Sequence, residues 1–330
     1  MAALNTQHPI PETQHPIPAM KPTRKHLAVS ALTLAALAAL VPFNMGGCSD
    51  VTSQIGGAVG GQQGAALGGA AGRAVEASSL SESDEQAMGE SVAMTVTTAY
   101  PVDRDKQLNQ YVTLVGLTLA NASAHPDANW LFAVVDTNDV NAFSGPGGYV
   151  LLTRGLIRDL KDESELAGVI AHEMSHVLEK HGLKAAKRAG VTAAGADAFS
   201  ALADPNNRTG AFNELTHSVA DTVMVKGYDR EQEDAADARA VRLVINAGYD
   251  PIGYFNFLQR TAREQRGGGG ASAAGGVMST HPGARERAAK VRKEIDQLAP
   301  AKQGAVLRER FEKMTGAGES PKSETRSPNQ

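Results

Sequence analysis

The chain lacks several things, and each shortage closes off a class of protein. It has a single cysteine, Cys48, which excludes an internal disulfide framework and any metal site built on thiolates. It has no excess of basic charge. With 32 basic against 36 acidic residues and a formal net charge of -4, it carries no electrostatic footprint for nucleic acid, and none is expected as a partner. It also lacks a long hydrophobic run: the apolar stretch at 27–41 covers 15 residues, short of the roughly 20 that a membrane-spanning helix needs. What remains is ordinary for a globular chain. Hydrophobic residues make up 42% of the sequence, and its length suits one large domain or two small ones.

The N-terminal quarter has its own organisation. Residues 1–19 repeat one pentapeptide, Gln7-His8-Pro9-Ile10-Pro11 and Gln14-His15-Pro16-Ile17-Pro18, too proline-rich for helix or strand and read as disordered. If translation starts at Met20, they are not part of the protein. From Met20 onward, Lys21, Arg24 and Lys25 precede the apolar run and a small-residue exit, which is the layout of a secretory signal peptide over 20–47. Met45-Gly46-Gly47-Cys48 resembles a lipobox, so Cys48 is the expected lipidation site; the alternative is ordinary cleavage that leaves a free thiol. Ser49 in the next position, by resemblance to lipoprotein sorting, favours an outer-membrane anchor on the periplasmic side. Over 48–79 follows a Gly/Ala-rich tether, with Gly56, Gly60, Gly64, Gly68 and Gly72 at every fourth position. Such a stripe lets helices approach closely at a membrane, but Gln62 and Gln63 within it favour a flexible linker.

A folded domain is expected over 80–298. Apolar periodicity predicts helices at 81–97 and 105–121, the latter through Leu108, Val112, Val115 and Leu119. Residues 130–135 and 149–153 read as strands that could pair as a hairpin around the turn-rich stretch 141–148. A short helix at 154–160 leads into a longer one. There Leu166, Val169, Ile170, Met174 and Val177 recur at helical spacing, Glu163, Glu165, Glu179 and Lys180 fall mostly elsewhere, and Gly182 supplies a stop. An alanine-rich stretch to residue 203 breaks at Asp204-Pro205-Asn206-Asn207 and resumes as a helix over 212–226, where His217 reads as an ordinary helix residue. Asp229 and Gln232 form a capping box that starts a helix reaching about residue 246. Residues 299–330 hold one more helix, about 303–313, and a polar tail. These elements make a mostly helical α+β domain with a small β-hairpin beside the helix that follows residue 163.

That helix carries the stretch on which the chemistry turns, His172-Glu173-Met174-Ser175-His176. Positions i and i+4 share a helix face, so His172 and His176 can point at one metal ion, and Glu173 lies beside it as a general base. A third ligand must come from elsewhere. In Arg230-Glu231-Gln232-Glu233-Asp234-Ala235-Ala236-Asp237, Glu233 and Asp237 are spaced i, i+4 and face the same way. Spacing alone does not choose among the acidic residues of this helix.

The ordered set of motifs does. Asn141-Ala142-Phe143 with Pro146-Gly147-Gly148-Tyr149 and Thr153-Arg154-Gly155-Leu156 comes first, followed by the HExxH stretch. Glu233 to Asp237 with Ala247-Gly248-Tyr249-Asp250-Pro251 comes next, then Ser279-Thr280-His281-Pro282 with Arg287. Over residues 80–298 this resembles the HtpX and CAAX-prenyl-protease-like zinc metallopeptidases, which are gluzincins, in their soluble periplasmic and outer-membrane lipoprotein branch. The resemblance implies a zincin-like fold, His172, His176 and Glu233 as ligands of one zinc ion, Glu173 as base and Asp237 as the acid behind a ligand histidine. It implies His281 as a gate or extra ligand and Arg287 as an active-site arginine. Two departures stand out: the transmembrane helices of the membrane branch are absent, and Ser144-Gly145 replaces a bulkier pair. The metzincin pattern fails, because Glu179 and Gly182 stand where it needs Gly and His, and His181 is one residue short.

The resulting expectation is an endopeptidase for unfolded or misassembled envelope proteins. Glu173 takes the proton of the attacking water, His281 or Arg287 steadies the oxyanion, and the substrate adds as a strand beside 149–153, with Asn141, Gly147, Gly148 and Tyr149 at the binding loop. The competing expectation is an assembly factor or chaperone working with the envelope assembly machinery, its zinc site gated by His281.

Overall fold

Alternating side chains decide how the strands are used. In the computed structural model, which describes residues 80–193, 208–266, 280–298 and 304–317, β1 (Leu131–Val135), β2 (Ala142–Gly145) and β3 (Tyr149–Thr153) form one sheet in the order β1-β3-β2. Phe132, Val134, Val150 and Leu152 enter one core while Ala133, Val135, Phe143, Tyr149 and Leu151 enter a second on the opposite face. Both faces are covered, which is why β1 and β3 read as nearly unbroken apolar runs. The signal segment, Cys48, the glycine stripe and the glycine run at 267–270 lie outside the described residues.

The pairing corrects the expected hairpin. β1 runs parallel to β3, Leu131 opposite Tyr149 through Val135 opposite Thr153, and β2 takes the antiparallel place, Ala142 opposite Leu152. A parallel pair needs a crossover, and the segment between β1 and β3 supplies it by forming β2 on the way. Strand β3 is therefore paired on both sides and offers no edge to a substrate. The edge strand beside it is β2, whose four residues are all buried. Thr153 N–H donates to the Asn141 carbonyl at 3.0 Å. Alternation along an antiparallel pair then puts Phe143 and Gly145 in bonded positions and turns the Ser144 N–H and C=O away from β3. The turn Pro146–Gly148 joins the two strands. It needs glycine at 147, where φ is +74° and a Cβ would come 2.8 Å from Gln86 Cα on the helix packed above it.

Helices wrap this sheet. α1 (Glu82–Ala99) starts with a Ser81–Asp84 capping box and lies on β2 and the turn; α2 (Lys106–Asn121) is capped by Asp105 and packs on β1. After α3 (Arg154–Asp159) comes α4 (Glu163–Leu178), capped by Asp162 and buried at every position from Glu163 to His176. α5 (His181–Ala193), α6 (Arg208–Asp221) and the π-turn Thr222–Lys226 follow. α7 (Arg230–Asn246) and α8 (Ile252–Arg266) pack directly on α4, and α9 (Ala284–Leu298) packs on both of them. Small residues let them close in: at Gly168 a Cβ would stand 2.5 Å from Tyr254 Cβ of α8.

Two expectations change here. Glu163 and Glu165 do not form a solvated face of α4; both are buried, paired with Arg310 and Arg260. The last helix, α10 (Arg308–Thr315), joins the main core through Phe311, which is fully buried. Among the described residues no helix is long and apolar enough to cross a membrane.

Candidate metal centre

The last two turns of α4 put His172 and His176 on one face, with Nε2 atoms 3.0 Å apart. The capping box of α7, Asp229 with Gln232, fixes the start of that helix so that Glu233 faces them. Its carboxylate lies 3.5 Å from each Nε2, Oε2 to His172 and Oε1 to His176. His281 arrives just before α9, its Nδ1 2.9 Å from Glu233 Oε1 and 3.3 Å from His172 Nε2. One donor atom from each of these four residues lies within 4.8 Å of the others, and all four residues are buried. The structure thus brings together the three residues expected as ligands, His172, His176 and Glu233, and His281 stands with them.

The surroundings suit a cation. Two buried carboxylates, Glu233 and Asp237, pair with the guanidinium of Arg287, and a third, Glu173, lies by His281. Asp237 Oδ1 is 3.0 Å from His172 Nδ1 and also receives hydrogen bonds from Tyr254 Oη at 2.6 Å and Arg287 Nη2 at 2.8 Å. Burial and the Arg287 charge pull the His172 pKa down, but the Asp237 and Glu233 carboxylates outweigh them and hold it up at about 9. Burial and the neighbouring His172 charge push His176 far below its usual range. Burial would raise both Asp237 and Glu233, yet Arg287 and His172 hold Asp237, and His281, Arg287 and His172 hold Glu233, below the usual carboxylate range. Imidazole nitrogens with one carboxylate are the donor set that suits a catalytic transition-metal ion.

Glu173 differs from its neighbours. It is 2% exposed, its Oε1 lies 3.5 Å from His281 Nε2, and its Oε2 has no hydrogen-bond partner among the described residues. A buried acceptor left unmade costs about 1–3 kcal/mol, and no described residue offsets that cost at this atom. Glu233 Oε2 makes no hydrogen bond either, but Arg287 Nη1 stands 2.7 Å away as an ion pair.

Other expected residues fall differently. Arg287 is committed to Asp237, Glu233, Tyr254 and the His281 carbonyl, so it braces the ligands and is not free to meet an oxyanion. Tyr149 points into the second core and takes a hydrogen bond from Gln86. Gly147 and Gly148 pack against α1 and the backbone near Asn129, and the Asn141 side chain caps its own strand at Ala142 N–H. The cavity beside His176 is lined instead by Ser144, Gly145, Pro146, Gly182 and Tyr228. His217 is exposed.

Sequence reasoning missed two aromatic neighbours of His176. Tyr228 stacks on its ring with centroids 4.0 Å apart, and His181 meets its Nδ1 at 2.9 Å. Burial and the Glu173 carboxylate push the Tyr228 phenol pKa well up; Ser144 is its hydroxyl neighbour, although Ser144 Oγ forms no hydrogen bond. The only available signals were position: His181 opens the helix after the motif, and Tyr228 precedes the cap of α7.

With this geometry in hand, comparison with known proteins is decisive. The profile of peptidase family M48 matches residues 106–295, more than half of the chain. The chain belongs to peptidase family M48. The matched span runs from α2 through α9 and contains every metal-facing residue described above. Curated relatives include a beta-barrel assembly-enhancing protease of Escherichia coli, 29% identical over 230 residues, which are 68% of this chain and 46% of that protein. The mitochondrial metalloendopeptidase OMA1 of Schizosaccharomyces pombe is 29% identical over 181 residues, 55% of this chain and 51% of its own. Metalloprotease YcaL of Escherichia coli is 26% identical over 227 residues, 67% of this chain and 84% of its own. The chain spans about half the length of the first two.

Proposed function

We propose that this M48 family member is a zinc-dependent endopeptidase of the cell envelope that cleaves unfolded or misassembled envelope proteins. His172, His176 and Glu233 hold the ion. When bound, zinc supplies a Lewis acid for the scissile carbonyl and lowers the pKa of the attacking water. The chain's own groups do the rest. Glu173 Oε2 accepts the proton of that water and passes it to the leaving amine nitrogen. Asp237 and Arg287 keep His172 and Glu233 in place from behind.

The observation that carries this reading is Glu173 Oε2, buried without a partner among the described residues beside two imidazoles on the same helix. Purified Glu173→Gln should keep its zinc and lose cleavage of unfolded casein. Wild-type cleavage with the zinc intact would falsify the mechanism. The envelope location is supported by the signal-peptide layout of 20–47, the lipobox-like stretch ending at Cys48 and the similarity to beta-barrel assembly-enhancing proteases. Fatty-acid labelling that persists in Cys48→Ala would remove the anchor.

A second reading, an assembly factor or chaperone with a latched site, draws on one observation: His281 Nδ1 reaches Glu233 at 2.9 Å and so competes for the position a water needs. His281→Ala separates the two, since faster casein cleavage means a latch and slower cleavage means a catalytic His281.

A further inference from the structure

The two ligand imidazoles of α4 are backed by different chemistry. His172 presents its Nδ1 to a carboxylate, Asp237, and His176 presents its Nδ1 to a second imidazole, His181. We infer that His181 is a positioning residue of the metal centre: its neutral ring accepts the Nδ1 proton of His176 and fixes the tautomer and tilt of that ligand. The inference rests on the reading of His176 as a ligand through Nε2.

The argument is one of proton counting. Two ring nitrogens 2.9 Å apart need one proton between them, with one ring as donor and the other as acceptor. His176 Nε2 faces His172 Nε2 at 3.0 Å and Glu233 Oε1 at 3.5 Å, so Nε2 is the nitrogen turned to the centre and must keep its lone pair for a metal. The proton of the neutral His176 ring then sits on Nδ1. His181 Nδ1 accepts it, and the His181 proton lies on its own Nε2.

The fold goes out of its way to make this contact. On a continuing helix, residue i+5 lies about 140° around the axis from residue i, out of reach of it. α4 stops at Leu178, and Lys180 adopts φ +53°, rare for a residue with a side chain, before His181 opens α5. That turn swings His181 back onto the preceding helix. Gln232 Nε2 then donates to the His181 carbonyl at 3.0 Å. Since Gln232 also caps α7 one residue before Glu233, one hydrogen-bonded strut ties two ligand-bearing helices to His181. Tyr228, stacked on the ring at 4.0 Å, holds the face of His176 while His181 holds its edge. A histidine that merely filled a core would have no reason to spend a ring nitrogen on a ligand.

The test uses the full chain with ¹⁵N-labelled histidine, loaded with zinc. A scalar coupling between the Nδ1 atoms of His176 and His181, with the proton on His176, is the expected NMR signature. Chelator competition adds a second readout. His181→Phe, which keeps the ring volume without an acceptor, should weaken zinc about 10–100-fold, as outer partners of ligand histidines do. His181→Asn, with an oxygen near the Nδ1 position, should recover most of that loss. Zinc that binds, and is lost in His176→Ala, with no such coupling and wild-type affinity in His181→Phe would overturn the inference alone. If His176→Ala binds zinc as tightly as the wild type, the reading of the site falls first and takes the inference with it. The coupling is read on the wild-type protein, so a variant that fails to fold does not remove the test.

Discussion

Helix α4 carries a buried glutamate near each end, and their surroundings differ. Glu163, fully buried in the first turn, accepts hydrogen bonds from Tyr111 at 2.9 Å and Tyr249 at 2.8 Å and a two-pronged pair from Arg310. Every lone pair it can offer has a donor. Glu173, ten positions on and as deeply buried, has one oxygen with no donor among the described residues and the other at a long 3.5 Å from His281. Burial of a carboxylate is costly in both places. At Glu163 the fold offsets the cost and gains a clamp that holds α10 against α4. At Glu173 it leaves the cost standing, as expected where an acceptor must stay free for chemistry. The exposure of the two side chains does not distinguish structure from function here; their hydrogen-bond saturation does.

The sharpest way to break that comparison is exchange of the two carboxylates for amides. Glu173→Gln should lower the rate of peptide cleavage by about 10²–10⁴-fold, the usual share of a general base, or roughly 3–5 kcal/mol of barrier. Steady-state cleavage of a quenched peptide reads the rate, and metal analysis checks that zinc is retained. Thermal stability should hold or rise, because the amide removes a buried charge that the site does not compensate. A variant that loses stability but keeps its rate would mean that Glu173 belongs with Glu163.

Next in size is the brace behind the ligands. Arg287→Ala leaves Asp237 and Glu233 as buried charges without their cation, and breaking such a pair from one side costs about 3–5 kcal/mol. Zinc should restore part of it by mass action, so melting temperatures of the variant should depend on added metal more steeply than those of the wild type. A smaller loss follows at the far end of the helix. Glu163→Gln removes an acceptor from two tyrosines and Arg310, whose side chain is 46% exposed and can turn to water. Chemical denaturation should show a loss of about 1–3 kcal/mol, with kcat/KM unchanged below the transition. Loss of activity there, with the fold intact, would mean that the clamp on α10 reaches the site.

The same contrast explains what was legible in the sequence. His172 and His176 were readable because helical periodicity alone puts them on one face. Glu233 was not separable from Glu231 or Asp234 by spacing; the resemblance selected it, and the structure shows why, since the Asp229–Gln232 cap sets the phase of α7. Burial of Glu163 and Glu165 was hidden, because their arginines lie 147 and 95 residues further along the chain. Strand β2 was hidden by composition: Ala142-Phe143-Ser144-Gly145 has one residue of strong β propensity and runs into a glycine turn. Without it β1 and β3 read as a hairpin, and β3 read as a strand with one side open, whereas it is paired on both sides. His181 was hidden by the broken turn at Lys180, which no periodicity encodes.

A third buried carboxylate, Asp103, tests whether saturation by hydrogen bonds also governs pH behaviour away from the site. Arg154 at the start of α3 binds both of its oxygens, and the Asp105 N–H donates to it at 2.8 Å. Those hydrogen bonds from Arg154, working against burial, hold its carboxyl below the usual range. The folded pKa thus lies below an unfolded value of about 3.9. Stability from this pair is fully present above about pH 4 and is lost as pH falls through the folded value. Asp103→Asn should therefore be less stable than the wild type by a constant amount between about pH 5 and 7, with the gap closing below about pH 4. The amount should be near 1 kcal/mol, because Asp105 Oδ2, 3.5 Å from Arg154 Nη2, can take up part of the guanidinium. Urea denaturation at several pH values reads both curves. A gap that widened toward acid would place the stabilising species in the protonated carboxyl, and would separate Asp103 from the saturated class to which Glu163 belongs.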